Sequence, residues 1–113
     1  MSFAVQAKFD PMRKLAYTGI TDDYAVIGAK FTHEVRCIWI NNDTDRALTF
    51  SFDGIEDHIS LPALGYFFWD ITSNRNRDHG YFLPVGGKVY VRTETINPTT
   101  GRVTVSVMYG LEN

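Results

Sequence analysis

Hydrophobic and polar positions alternate along this chain in short runs that end at turn formers. Val35-Arg-Cys-Ile-Trp-Ile40 is rich in β-branched and aromatic residues and stops at Asn41-Asn-Asp-Thr-Asp45. Ala47-Leu-Thr-Phe-Ser-Phe52 follows, with Leu48, Phe50 and Phe52 on one face and Thr49 and Ser51 on the other. Asp53-Gly54 supplies a tight turn, and His58-Ile-Ser-Leu61 resumes an extended path. Further strands are predicted over Gly65–Ile71, Lys88–Thr93 and Arg102–Tyr109. In the last of these, Val103, Val105, Val107 and Tyr109 point one way, and Thr104, Ser106 and Met108 the other. Leu15–Ile20 and Tyr24–Phe31 are weaker strand candidates. No stretch carries a sustained helical period. Strands recurring every eight to twelve residues or so predict an all-β protein, an antiparallel β-sandwich of jelly-roll or Ig-like type with about eight strands. Residues 1–14 read as an N-terminal arm or edge strand, and 15–113 as one sandwich domain.

Two predicted strands are apolar on both faces. In the first, Val35, Cys37 and Trp39 oppose Arg36, Ile38 and Ile40. In the second, Phe67, Trp69 and Ile71 oppose Tyr66, Phe68 and Asp70. A strand of a small sandwich needs one buried face, so the second face must be covered by the arm, a loop or another subunit. On this pattern the protein-interface candidates are Ile38, Ile40, Tyr66 and Phe68. Phe3 and Phe9 of the arm join them, as do Arg75 and Arg77 of the polar loop that runs from Thr72 to Gly80. Phe50, Phe52, Phe67 and Trp69 are expected to face inward. Tyr66, Phe68, Tyr81 and Tyr90 are left open between core and surface.

Composition narrows the function. The 113 residues are 44% hydrophobic and 21% charged, the balance of a globular chain able to form one core. A formal net charge of −2 offers no basic excess for a nucleic-acid backbone as main ligand. No apolar run approaches the length of a membrane span. Met1–Lys14 has no signal-peptide core, and Cys37 is the single cysteine, so folding in a cytosol without disulfides is expected. Asn42-Asp-Thr44 matches a glycosylation pattern but is read as a turn.

The candidate chemistry is sparse. His33, His58 and His79 do not have zinc-ligand spacing. Asp57-His58 with Ser60 has hydrolase residue types without a nucleophile motif around them. Asp53-Gly-Ile-Glu-Asp57, and Asp43 with Asp45, lack the ligand order of a calcium loop. No catalytic, metal or cofactor residue is assigned, and no cofactor is expected. Aromatic residues make up 14% of the chain, enough to furnish a sugar-stacking surface.

Several segments in a fixed order carry a resemblance. They are Tyr24-Ala-Val-Ile-Gly28, Asn41-Asn-Asp-Thr-Asp45, Phe50-Ser-Phe-Asp-Gly54, Asp57-His58, Asp70-Ile-Thr-Ser-Asn-Arg75, Val89-Tyr-Val-Arg92 and Gly101-Arg-Val-Thr-Val-Ser-Val-Met-Tyr-Gly110. Over about Tyr24 to Gly110 the chain resembles small β-sandwich structural proteins of tailed-bacteriophage particles. The resemblance implies a non-enzymatic virion component present in many copies, made in the bacterial cytoplasm. It would serve as a capsid cement or decoration protein or at the neck or tail. The implied partners are other copies of itself and virion proteins such as the major capsid or neck and tail proteins. The shared motifs are expected to shape turns and strands. The alternative is a carbohydrate-binding β-sandwich.

Overall fold

A computed structural model describes residues 5–70 and 83–112. Among the described residues there are nine strands: β1 (Val5–Phe9), β2 (Arg13–Ala16), β3 (Ala25–Val26), β4 (Val35–Asn42), β5 (Leu48–Ser51), β6 (Ile59–Leu61), β7 (Tyr66–Asp70), β8 (Tyr90–Thr93) and β9 (Arg102–Glu112). They form two antiparallel sheets. The larger runs β1-β9-β4-β7, with β2 also pairing with β9; the smaller runs β3-β8-β5-β6. The all-β antiparallel sandwich expected from the alternation is the observed architecture.

The long alternating strand β9 organises the larger sheet. Val103, Val105 and Val107 are fully buried, and they lie beside Ile38 and Ile40 of β4. Leu48, Phe50 and Val91 bring the smaller sheet into the same cluster, and Ile20, Ile27, Phe31 and Val89 close it. Each such side chain contributes on the order of 1.5–3 kcal/mol by leaving water.

Val5–Phe9 forms an edge strand that pairs with β9 over Met108–Glu112. Pro11 lies between β1 and β2, and Asp10 bridges the break by donating its N–H to Val107 at 3.3 Å. Of the predicted strand over Leu15–Ile20, only its first two residues fall in β2, and Tyr17–Gly19 is a 3₁₀ turn. Of Tyr24–Phe31, Ala25–Val26 is strand. Beyond it, Ile27 donates to Val89 O and Phe31 to Gly87 O, both at 2.8 Å, so the chain still tracks the β8 edge.

The largest correction concerns β4. Ile38 and Ile40, given as interface candidates on a second face outside the core, are 1% and 0% exposed and belong to the core. The cause is a bulge: Val35 faces Tyr109 and Cys37 faces the very next residue, Met108. One extra residue resets the inside–outside phase, so Val35 shares its face with Ile38 and Ile40 rather than with Cys37 and Trp39. Trp39 therefore lies on the outer face of the sheet.

A polar corner fixes the end of β4. Asn42 is fully buried; its Nδ2 donates to the carbonyls of Arg46 (2.9 Å), Leu61 (3.3 Å) and Pro62 (2.9 Å). Its Oδ1 accepts from Thr44 N (3.1 Å) and Thr44 Oγ1 (2.6 Å). Thus Asn42-Asp-Thr44 is a turn, as read, with its asparagine inside the protein.

Candidate interaction surface

The bulge and the register place an aromatic band on the outer face of the larger sheet. Across the strands, Phe68 of β7 pairs with Trp39 of β4, which pairs with Ser106 of β9. One row away, Met108 lies between Cys37 and Phe9. Ser106 is small, so the Phe9 ring can lean diagonally towards Trp39: their centroids are 6.2 Å apart, and those of Trp39 and Phe68 are 4.5 Å apart. In the next row Tyr66 pairs with Asn41, whose Nδ2 donates to Thr104 Oγ1 at 3.3 Å. Trp39 is half-buried by its neighbours, while Phe9 is 62%, Phe68 42% and Tyr66 71% exposed.

Of the interface candidates, Phe9, Tyr66 and Phe68 thus lie on one surface, and Ile38 and Ile40 lie in the core beneath it. Phe3, Arg75 and Arg77 fall outside the described residues, as do Tyr81 and the loop 72–80. Trp39 was missed, because strict period two grouped it with Val35; the bulge that moves it outward has no marker in the sequence. Phe50, Phe52 and Phe67 pack in or against the core as expected. Trp69 does not. It shares the Phe67 face but is 41% exposed, β7 being the last strand of its sheet among the described residues. Tyr90 is half-buried beside Gly54.

The smaller sheet carries the charged residues that could suggest chemistry, and each is engaged locally. Arg92 grips the Asp57 carboxylate through Nε (3.2 Å) and Nη2 (2.6 Å), and the Tyr24 hydroxyl donates to the same carboxylate. These contacts hold Asp57 below the usual carboxylate range, the Arg92 hydrogen bond most of all. His58 Nδ1 accepts the Phe52 N–H at 3.0 Å, so this imidazole closes the β5–β6 turn. Ser60 donates instead to Glu94. Asp57, His58 and Ser60 are therefore not brought together as a catalytic relay. His33 stacks on Tyr109 with ring centroids 3.9 Å apart.

The acidic turns are likewise occupied by their own backbone. Asp53 Oδ1 accepts from Ile55 N (2.8 Å), Glu56 N (3.0 Å) and Ser51 Oγ (2.8 Å), lowering its pKa to about 2. Asp45 accepts from Thr99 Oγ1 (2.5 Å) and N (2.8 Å) and from Thr100 N (3.4 Å), and its pKa is also lowered to about 2. Among the described residues, no group of three His, Cys, Asp or Glu side chains is placed to hold a metal.

No protein-family profile and no curated protein sequence matches the chain. Among solved structures, it is similar to a chain of the cyanophage Pam1 capsid asymmetric unit, with 19% identity and a TM-score of 0.48 over 99% of this chain and 89% of that one.

Proposed function

We propose that this chain is a non-enzymatic structural component of a tailed-bacteriophage particle, acting through contact with neighbouring virion proteins and with copies of itself. The observation that carries the reading is the aromatic band of Phe9, Trp39, Phe68 and Tyr66 on the outer face of the larger sheet. Clustered exposed aromatics of this kind mark association surfaces, where rigid rings supply large contact area at small entropic cost. The ordered motifs behind the virion resemblance agree with it in kind: Asn42, Asp45 and Asp53 serve turns, which is a scaffold's use of polar residues. A capsid cement or decoration protein is the finer form of the proposal, with a neck or tail position as its variant.

The test is quantitative mass spectrometry of purified particles of the source phage. A copy number comparable with the major capsid protein is the result expected of a cement or decoration protein; a few copies per particle would favour the neck or tail. Absence from the particle would overturn the proposal. The same aromatic band favours the carbohydrate-binding reading as the second choice, since exposed rings on a sheet can stack on sugars. Quenching of Trp39 fluorescence by a glycan, lost in Trp39→Ala, would establish it.

A further inference from the structure

Two surface features of this chain match in shape and in charge. The first is a knob. Ile55, in the turn between β5 and β6, is 82% exposed, more than any other large apolar side chain among the described residues. The turn beneath it is stiff: Asp53 Oδ1 accepts the N–H groups of Ile55 and Glu56, and Gly54 N donates to Ser51 Oγ at 2.9 Å. Asp22, Asp23 and Glu56 lie around the same site, and their carboxylates have no ion-pair partner among the described residues. The second feature is a cavity of about 450 Å³ between the β1–β2 corner and the loop that follows β3. Pro11, Met12 and Ala29 give it an apolar wall. Lys14 and Lys30 line it too, again without an ion-pair partner among the described residues. Its walls are fixed, because Arg13 grips the carbonyls of Ala29 and Lys30 and packs so closely on Gly28 that a Cβ there would lie 2.8 Å from its own.

We infer that the Ile55 turn of one copy seats in the Pro11–Met12–Ala29 cavity of the next, as a head-to-tail contact between copies of this chain. The inference rests on the proposed assembly role and names a partner and two surfaces for it. Charge and shape select a second copy as the occupant. The cavity is apolar in its wall and cationic at Lys14 and Lys30, so it favours an apolar side chain flanked by carboxylates. Ile55 beside Glu56, with Asp22 and Asp23, is that combination. Ile55 is exposed, so the cavity of its own chain does not hold it. Both surfaces are preformed by internal hydrogen bonds, so joining them orders few side chains. Because knob and cavity are different surfaces, a joined pair still has one of each to offer, and the series closes as a ring or continues as a row. A single contact is small and weak; contacts repeated among copies held together reinforce one another.

The test uses the purified full chain. Sedimentation velocity over a concentration series up to about 1 mM is expected to show reversible association that continues past the dimer and weakens as salt is added. Ile55→Ser should weaken it about tenfold or more while the far-UV circular dichroism stays unchanged. Two charge-reversed chains test the match: Lys14→Glu with Lys30→Glu alters the cavity, and Asp23→Lys with Glu56→Lys alters the knob. Each alone should be monomeric. Their equimolar mixture should associate, since the basic knob of one fits the acidic cavity of the other. A wild type that stays monomeric throughout would overturn the inference. So would association that Ile55→Ser leaves unchanged, or a mixture no more associated than its parts. The particle measurement is independent: a virion protein that fails these tests loses this contact and keeps the role.

Discussion

Thr44 Oγ1 donates to Asn42 Oδ1 at 2.6 Å inside the protein, where both residues are essentially inaccessible to water. With the three carbonyls bound by Nδ2, this amide ties the β4 end to the Arg46 turn and to the Leu61-Pro62 segment. Asn42→Ala would strand buried donors and acceptors and is expected to cost about 2–4 kcal/mol. Asn42→Asp should be worse than alanine at neutral pH, because a carboxylate would face carbonyl oxygens. Urea unfolding of both variants checks the order; an aspartate variant as stable as wild type would refute it.

Gly101 lies against the same corner. It has φ +89°, and a Cβ there would sit 1.9 Å from the Asp43 carbonyl oxygen. Gly101→Ala therefore combines a left-handed backbone with a backbone clash. A loss of about 3 kcal/mol or more is expected, read as a fall in melting temperature with the β-sheet dichroism kept. Gly86, at φ +88° with open space around its Cβ position, is the control and should lose much less.

Arg13 is a buried cation engaged through Nε and Nη2, while its Nη1 has no hydrogen-bond partner among the described residues. Its Nε donates to Ala29 O (2.7 Å) and its Nη2 to Lys30 O (3.0 Å) and Asp10 Oδ2 (3.1 Å), while the guanidinium lies 5.3 Å from the centre of the Phe31 ring. Removing it leaves the Ala29 and Lys30 carbonyls without this donor and the half-buried Asp10 carboxylate with only the Thr32 hydroxyl, at 3.4 Å. Arg13→Ala should cost about 3–5 kcal/mol, and Arg13→Lys should recover only part, since an ammonium cannot reproduce the planar fork. The denaturant midpoints should fall in that order with an unchanged slope.

Acid stability follows from the turn carboxylates. Asp45 and Asp53 titrate at about 2 in the folded protein against an ordinary 3.8. Their stabilising effect is complete above pH 4 and is lost as pH falls from there through 2. The melting temperature of the wild type should drop over that window. Asp45→Asn should lower it at pH 7 and match wild type more closely near pH 2. A gap that stays constant with pH would exclude the carboxylate as its cause.

How much of this was legible depended on whether the signal is local. The Val103, Val105, Val107 alternation read correctly because a regular strand keeps its phase. The Val35–Ile40 strand misled because its bulge is decided by pairing with β9, and a strand's own sequence does not record its partner. Trp39 reached the surface by the same shift. Trp69 stayed exposed because edge position, unlike face, is a property of topology. The Asp53 and Asn42 turns were visible as turns, and Asp53 is held by its own neighbours Ser51, Ile55 and Glu56; the Leu61 and Pro62 carbonyls that Asn42 binds were not visible, since they come from another part of the fold.

One detail of β4 has a practical consequence. Cys37 pairs with Asp70 and Val35 bridges to Leu83, so residues 70 and 83 are both anchored on the same short stretch of β4. The two anchors are fixed by the sheet whatever joins them, and the entropy of closing such a connection changes only slowly with its length. A tag spliced between Asp70 and Leu83 is therefore expected to leave these two anchors on β4 in place, whatever the length of the join.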